Sequence, residues 1–193
     1  MKNEHMVEGR EILLGVSGGI AAYKAAALAS LLVQQGARVT VVMSARSQQF
    51  VGRATFAALT SRPVETKIFS PQRHPLGAHI ELAEKAELFC IAPASADFLA
   101  KAACGIADDL MSTLLLCVEC PVLMAPAMNA SMWAKPSVQR NIKQVQEDGV
   151  EILAPSSGWL SCRTRGPGRM QEPEAIAAAI HLQFQLHCGA KKT

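Results

Sequence analysis

Short apolar runs alternate with longer helical patterns along most of the chain, and this alternation limits the possible folds more than any other feature. The runs at 12–16, 38–43, 88–92, 122–125 and 150–153 are nearly continuous in apolar residues, as expected for strands buried on both faces. Helical patterns cover 21–35, 48–60, 80–85, 95–103, 109–117, 137–147 and 172–186. The pattern predicts a single-domain, doubly wound α/β fold, Rossmann- or flavodoxin-like, whose mostly parallel sheet carries helices on both faces.

Size and composition agree with one globular domain. The chain has 193 residues, half of them apolar and 18% charged, which is enough for a buried core and excludes a disordered chain. We expect one domain over 1–193 with an ordered core at about 11–188. The formal charge of +3 comes from scattered Lys and Arg residues, and the chain has one Tyr and two Trp. Neither a basic stripe nor an aromatic stacking platform is present, so we expect no nucleic-acid partner.

The location of the protein is inferred from its cysteines and its longest apolar stretch. Residues 12–33 are interrupted by Ser-Gly-Gly at 17–19 and by Lys24, so we expect neither a membrane span nor a signal peptide. Six cysteines stand at 90, 104, 117, 120, 162 and 188, several of them in apolar surroundings. Free buried thiols predict a reducing, cytoplasmic location.

Cys117 and Cys120 have the spacing of a zinc or redox pair, but they lack a second pair or a nearby His, so we expect no metal site.

Unusual residues cluster directly after the predicted strands. They stand at 17–19, at Ser44, at 93–97 and at 126–129. In a doubly wound sheet, ligands bind at the carboxyl ends of the strands, where the strand order reverses. The sequence therefore predicts a ligand site at this edge of the sheet.

The first cluster, Ser17, Gly18 and Gly19, has the character of an anion-binding turn. Glycines between a strand and a helix let backbone N–H groups approach an anion at the helix N-terminus. The six-residue dinucleotide fingerprint and the Walker lysine are missing, so a mononucleotide fits best. Ser44 can donate its hydroxyl to the same phosphate. The alternative is a tight turn that needs glycine for its geometry alone.

Two further candidates are His79 and Asn129. His79 opens a helix after a loop rich in Pro and Gly, and imidazole groups exchange protons near neutral pH. Asn129 follows a strand, and its amide can both donate and accept hydrogen bonds. Met128, Met132 and Trp133 lie near it in the sequence and offer an apolar wall for a flavin ring or a substrate arm. The alternatives are a helix-starting histidine without a chemical task and an asparagine that only caps a helix.

The polar segment 156–170 is predicted to be an ordered functional loop or a mobile flap. It contains Cys162, and Arg163 and Arg165 lie close by in the sequence. Neighbouring cations favour the thiolate form of cysteine, so Cys162 is the best candidate for thiol chemistry in the chain. The alternative is an incidental loop cysteine.

Taken together, these stretches resemble the homo-oligomeric flavin-containing cysteine decarboxylases over about 11–173. The matching motifs are Ser-Gly-Gly-Ile-Ala-Ala-Tyr-Lys at 17–24, His-Ile-Glu-Leu at 79–82, Ala-Pro-Ala-Ser-Ala-Asp at 92–97, Asp-Leu-Met-Ser-Thr at 109–113, Pro-Ala-Met-Asn-Ala-Ser-Met at 126–132 and Cys162 with Gly-Pro-Gly-Arg-Met at 166–170. The resemblance departs at Arg163 and Thr164, where family members usually have Gly and Asp.

The resemblance implies an FMN-dependent decarboxylase, with phosphopantothenoylcysteine as favoured substrate and phosphopantetheine, a coenzyme A precursor, as product. It implies thiol oxidation with His79 as the acid–base group, loss of CO₂ from a carboxylate held by Asn129, and a final reduction in which Cys162 supplies a proton. The implied FMN contacts are Ser17, Gly18, Gly19, Ser44, Ser95, Ala96 and Ser112. The implied substrate contacts are Ala127, Met128, Asn129 and Met132.

The resemblance also implies partners and leaves alternatives open. Family members form trimers or dodecamers with FMN between subunits, and a synthetase that makes the substrate is either fused or separate. A peptide cysteine decarboxylase would share the chemistry but release the ene-thiol without the final reduction. A flavin prenyltransferase shares the fold, and a silent flavin-binding subunit that regulates a partner is a third alternative.

Overall fold

A computed structural model describes residues 6–190 of the chain, with side chains described as far as residue 187. The predicted domain limits of 1–193 therefore stay a prediction, and the side chain of Cys188 lies outside the described residues. The elements, in chain order, are β1 (Glu11–Val16), α1 (Ala22–Gln34), β2 (Arg38–Met43), a 3₁₀ helix (Ser47–Gln49), α2 (Arg53–Thr60), α3 (Ala78–Lys85), β3 (Leu88–Ala94), α4 (Ala96–Cys104), α5 (Leu110–Cys117), β4 (Val122–Pro126), α6 (Ala130–Trp133), α7 (Pro136–Glu147), β5 (Glu151–Ile152), β6 (Ser156–Trp159), β7 (Arg165–Arg169) and α8 (Pro173–Ala190).

The five principal strands form one parallel sheet in the order β2-β1-β3-β4-β5. This is a flavodoxin-like, doubly wound order, and the predicted fold class is confirmed. The chain moves outward from β1 to β2, then returns across β1 to form β3. The strand order therefore reverses between β1 and β3, and that crevice is where such sheets bind ligands.

Helices cover both faces of the sheet because the side chains of the inner strands alternate between two cores. On β1, Ile12 and Leu14 belong to the core that also contains buried residues of α1, α2 and α8, such as Leu28. Leu13 points the other way, into the core formed with α3, α4, α5 and α7, which includes Phe98. Burial on both faces explains why these strands read as continuous apolar runs rather than as alternating ones.

Some predicted elements differ in detail from the observed ones. The predicted helix at 48–60 is divided into the 3₁₀ helix and α2, because Gly52 is extended and serves as the N-cap of α2. The short helix α6 is not predicted. The segment predicted as a loop or flap at 156–170 forms an antiparallel hairpin of β6 and β7. Its Ser-, Gly- and Pro-rich strands lack apolar alternation, so pattern analysis could not identify them.

Among residues 6–190, none of the helices combines the length and the apolar character that crossing a bilayer requires.

The packing of α1 on the sheet yields a stability prediction. Leu28 is 0% exposed, whereas Leu182 on α8 is 49% exposed. We expect Leu28→Ala to lower the free energy of unfolding by about 2–5 kcal/mol, because it leaves a cavity in a close-packed core. The matched control Leu182→Ala changes it by only about 0.5 kcal/mol. Urea unfolding measures both, and equal losses would contradict this assignment of the core.

Candidate functional site

A cleft of about 940 Å³ lies at the carboxyl ends of the central strands, at the reversal of the strand order. Most of the residues that the sequence predicts for the site line it. These are Ser17, Gly18, Gly19, Ser44, Ser95, Ala96, Ala127, Met128, Asn129, Met132 and Cys162. The structure therefore brings together residues from five separate segments of the chain.

Ser17 links the two strand ends that frame the cleft. Its side chain is buried, and its Oγ donates to the carbonyl oxygen of Pro93 at 2.7 Å. The same Oγ accepts a hydrogen bond from the backbone N–H of Ser95 at 2.8 Å. The hydroxyl of Ser17 is thus engaged on both sides, and it holds the loop after β1 against the loop after β3.

One end of the cleft is suited to an anion. Gly18 lies so close to the chain after β2 that a Cβ atom there would be 2.6 Å from the Cβ of Arg46. Glycine therefore leaves room for backbone contact beside the N-terminus of α1. Ser44 Oγ accepts from the Ser47 N–H at 3.2 Å, which leaves the hydroxyl proton of Ser44 available to a ligand. Arg46, which the sequence analysis missed, adds a cation and contacts Asp97 at 3.7 Å.

The opposite side of the cleft carries Asn129, which also caps a helix. Its Oδ1 accepts from the Ser131 N–H at 2.7 Å, so Asn129 is the N-cap of α6. Its Nδ2 is directed away from the helix and donates to Cys162 Sγ at 3.1 Å. Capping and a role in the site are therefore compatible, because each uses a different atom of the same amide.

The hairpin of β6 and β7 docks on the segment that carries Asn129. The N–H of Met128 donates to the carbonyl oxygen of Gly168 at 2.9 Å. Gly168 has φ +122°, and a Cβ there would lie 2.2 Å from the carbonyl oxygen of Met128. Only glycine permits this approach. The docking places Cys162, near the tip of the hairpin, beside Asn129.

The thiol of Cys162 is more acidic than an ordinary cysteine. Its pKa is lowered, chiefly by the hydrogen bond with the Thr164 side chain, with a further contribution from Asn129. Arg163 and Arg165, which the sequence analysis took as the cause, are not among the groups responsible. The acidity of Cys162 therefore comes from local hydrogen bonds rather than from neighbouring cations.

The other described cysteines differ from Cys162. Burial raises the pKa of Cys90 to about 12 and, with weaker contributions from other groups, that of Cys120 to about 11. Cys104 is exposed, and Cys117 and Cys120 are only partly buried, so the prediction of buried thiols holds fully for Cys90 alone among those described. Within residues 6–190, no cluster of three or more His, Cys, Asp or Glu side chains is placed to hold a metal ion.

Two predicted residues, His79 and Ser112, are not among the described residues that line the cleft. Ser112 is buried and forms a capping box with Asp109 at the start of α5. His79 lies in the first turn of α3 and packs against Gly77. Its Nδ1 is buried and has no hydrogen-bond partner within the described part of the chain. The roles proposed for both residues stay predictions.

Several residues of the cleft were missed by the sequence analysis. Lys24 is buried, and its Nζ donates to the Met170 carbonyl oxygen at 2.9 Å and to Glu172 at 3.0 Å. Lys101 contacts Asp108 at 2.7 Å at the far edge of the cleft. A lysine within the apolar face of α1 is a sequence signal that could have identified Lys24, because buried lysines need partners.

The contact at Gly168 yields a prediction about the hairpin. We expect Gly168→Ala to undock β6 and β7, because the added methyl group collides with backbone rather than with a movable side chain. The matched control is Gly158→Ala, whose Cβ would meet only the flexible side chain of Arg169 at 3.3 Å. Hydrogen exchange measured by mass spectrometry should show faster exchange at 156–169 in Gly168→Ala alone. Unchanged protection there would contradict the docking.

Comparisons with known proteins agree with this geometry. The flavoprotein family model matches residues 1–185. The coenzyme A biosynthesis bifunctional protein CoaBC of Bacillus subtilis (strain 168) is 45% identical over 179 residues, which are 93% of this chain and 44% of that protein. The chain thus spans less than half the length of this curated relative.

Two solved structures are similar over nearly their whole length. The FMN-dependent cysteine decarboxylase SpaF has a TM-score of 0.80 and 33% identity, covering 93% of this chain and 99% of that one. A PPC decarboxylase mutant complexed with pantothenoylaminoethenethiol has a TM-score of 0.84 and 28% identity, covering 92% of this chain and 100% of that one.

Proposed function

Because the chain belongs to the flavoprotein family, we propose that it is an FMN-dependent decarboxylase that converts phosphopantothenoylcysteine to phosphopantetheine in coenzyme A biosynthesis. The observation that carries this proposal is the pairing of Asn129 with Cys162 across the cleft from an anion-binding turn. A carboxylate-binding amide and an acidic thiol are the two groups that decarboxylation followed by protonation requires. The 45% identity to a coenzyme A biosynthesis protein supports this choice of substrate.

The cleft fits FMN. The glycine turn at 18–19, the available hydroxyl of Ser44 and the cation of Arg46 suit a phosphate monoester, and the methionines near Asn129 suit a flat ring. FMN held there would supply the oxidising and reducing capacity of the reaction, as a two-electron acceptor and then a two-electron donor. The net reaction is redox-neutral: one carboxylate and one proton are consumed, and one CO₂ and one new C–H bond are formed.

Asn129 holds the substrate carboxylate. Its Nδ2 is a donor whose present partner, Cys162 Sγ, lies 3.1 Å away and is exposed. An incoming carboxylate replaces the sulfur at this amide, because a carboxylate oxygen is the stronger acceptor. Oδ1 stays bonded to the N–H of Ser131, which keeps the amide oriented throughout. Oxidation of the substrate's own thiol to a thioaldehyde then makes loss of CO₂ from the substrate easy and leaves an ene-thiol.

Cys162 supplies the proton for the final reduction. Its lowered pKa makes it a better acid than an ordinary cysteine, and the hairpin holds it beside the residue that binds the carboxylate. The proton leaves Sγ for the substrate carbon, and solvent restores the thiol afterwards. In this proposal Cys162 distinguishes a decarboxylase that completes the reduction from one that releases an ene-thiol.

His79 acts on the cleft of a neighbouring subunit in this proposal. Three features support an oligomer with FMN between subunits. His79 is not a lining residue of its own chain's cleft, its Nδ1 is buried without a described partner, and the exposed apolar side chains of Leu76 and Ile80 flank it. A trimer, or a dodecamer built from trimers, would bring this surface against the next cleft. A synthetase that makes the substrate, either fused or separate, completes the set of partners in this proposal.

A cytoplasmic location is part of the proposal. The cysteines that the structure describes are all free thiols, which is the usual state in a reducing compartment.

A second candidate is decarboxylation of a peptide's C-terminal cysteine. The likeness to SpaF, an FMN-dependent cysteine decarboxylase at 33% identity, supports the cysteine chemistry that both candidates share. The two functions differ in their products, since the peptide enzyme would release an ene-thiol from its substrate.

The function is tested with purified protein, FMN and phosphopantothenoylcysteine. We expect wild type to release CO₂ and form phosphopantetheine, as measured by mass spectrometry. Cys162→Ser should still release CO₂ but accumulate a product two mass units lighter, because the final proton is missing. Cys104→Ser, at an exposed cysteine on α4, is the matched control. Absence of CO₂ from flavin-loaded wild type would overturn the proposal, and normal phosphopantetheine from Cys162→Ser would overturn the role of its thiol.

The role of His79 across subunits is tested by mixing two inactive variants. His79→Asn and Asn129→Ala should each lose at least about a hundredfold in turnover, the scale expected for a missing acid–base or positioning group. If His79 serves a neighbour's cleft, hetero-oligomers made by co-expression regain part of the wild-type rate, because some clefts then combine an intact His79 with an intact Asn129. Mixed oligomers without any recovery would contradict action in trans.

A further inference from the structure

The tip of the hairpin contains a threonine, Thr164, to which neither the sequence motifs nor the proposed mechanism assigns a role of its own. Between β6 and β7, the chain turns through residues 160–164, and the N–H of Leu160 donates to the carbonyl oxygen of Thr164 at 2.9 Å. Arg163, within this turn, has φ 62°, which is the left-handed region. The left-handed residue turns the chain back on itself, so that Thr164 returns to face Cys162.

The returning side chain meets the thiol directly. Thr164 Oγ1 lies 3.0 Å from Cys162 Sγ, and Asn129 Nδ2 lies 3.1 Å from the same atom. An amide N–H can only donate, so the sulfur is an acceptor toward Asn129. A hydroxyl can donate or accept, and it donates to the sulfur once the thiol has lost its proton. Two donors from different segments of the chain therefore converge on one sulfur atom.

We propose that Thr164 is a positioning residue that holds the sulfur of Cys162 beside Asn129 and stabilises its thiolate form. This inference rests on the proposed function, in which Cys162 gives up a proton to the substrate. When the Sγ–H bond breaks, the proton forms a new C–H bond on the substrate, and the negative charge stays on sulfur. The two electrons of the reduction come from flavin that was reduced earlier in the same turnover. A hydroxyl beside the new thiolate makes the proton transfer easier by stabilising the charge left behind.

Thr164 also favours the thiolate form of Cys162 in the protein without substrate. The pKa of Cys162 is lowered, and the largest cause is the side-chain hydrogen bond with Thr164. The backbone of Thr164 and the side chain of Asn129 act in the same direction, while desolvation opposes them. Removing the hydroxyl should therefore raise the pKa of the thiol and reduce the thiolate fraction at neutral pH.

The test is alkylation of Cys162 by iodoacetamide, followed residue by residue by mass spectrometry in the FMN-loaded protein. Only the thiolate reacts, so the rate below the thiol pKa reports the thiolate fraction. We expect Thr164→Val to slow alkylation of Cys162 by about three- to tenfold at pH 7, the range for losing one hydrogen bond of typical net strength at an exposed site. The difference should shrink as the pH rises, because both proteins then become fully deprotonated.

Three controls separate acidity from access and folding. Thr164→Ser keeps the hydroxyl and should react at nearly the wild-type rate, whereas Thr164→Ala should behave as Thr164→Val does. Cys104, which is exposed on α4, serves as an internal reference whose rate stays constant in every sample. A Cys162 rate unchanged in both hydroxyl-free variants overturns the proposal. A rate changed by the same factor at every pH also overturns it, because that result indicates altered access rather than altered acidity.

Product analysis supplies a second readout. With phosphopantothenoylcysteine, Thr164→Val should raise the ratio of the oxidised product to phosphopantetheine while CO₂ release continues, and Thr164→Ser should restore the wild-type ratio. An unchanged ratio overturns the effect of Thr164 on the final proton transfer. Failure of every protein, wild type included, to release CO₂ refutes the proposed function instead, and the alkylation experiment still decides whether Thr164 controls the thiol.

Discussion

The site depends on how the ends of β1 and β3 are held together. These neighbouring strands are the point at which the strand order reverses, and the loops that follow them must leave toward opposite faces of the sheet. Ser17 keeps the loops in contact, because its buried hydroxyl donates to the Pro93 carbonyl and accepts from the Ser95 N–H. An apolar residue of similar size would leave the Ser95 N–H without this partner at the floor of the cleft, whereas the Pro93 carbonyl would keep its bond from the backbone N–H of residue 17. The anion-binding turn and the start of α4 are both positioned by this single side chain.

The fold could be predicted from the sequence because the patterns that mark its strands and helices are local and recur along the chain. Continuous apolar runs mark strands buried on both faces, and helical stretches between them require parallel crossovers. The hairpin of β6 and β7 could not be predicted in this way. Its strands are held by pairing with each other and by contact with Met128, which is distant in sequence, and Gly168 reveals this only once its neighbour is known.

Some residues of the candidate site could likewise be predicted from the sequence, and others could not. Residues next to strand ends, such as Gly18 and Asn129, could be located because parallel strands bring their carboxyl ends to one edge of the sheet. Arg46 could not, since it stands in no pattern typical of ligand contacts, whereas the place of Lys24 on the apolar face of α1 was a usable signal. The acidity of Cys162 was predicted correctly but for the wrong reason. Adjacent arginines in the sequence need not face the thiol, whereas a threonine that the turn brings back to it does.

Lys24 gives α1 a second structural role, in addition to its place beside the proposed anion site. The N-terminal end of α1 borders the glycine turn. Lys24, in the first turn of this helix, donates hydrogen bonds to the segment that connects β7 to α8. A helix rises about 1.5 Å per residue, so Lys24 lies within one turn of the end that borders the glycine turn, and its side chain reaches from there to the base of the hairpin. The position of the base of the hairpin relative to the glycine turn is consequently set by one helical turn and one buried lysine side chain. This short link holds the base of the hairpin that carries Cys162 close to the turn proposed to bind the phosphate of FMN.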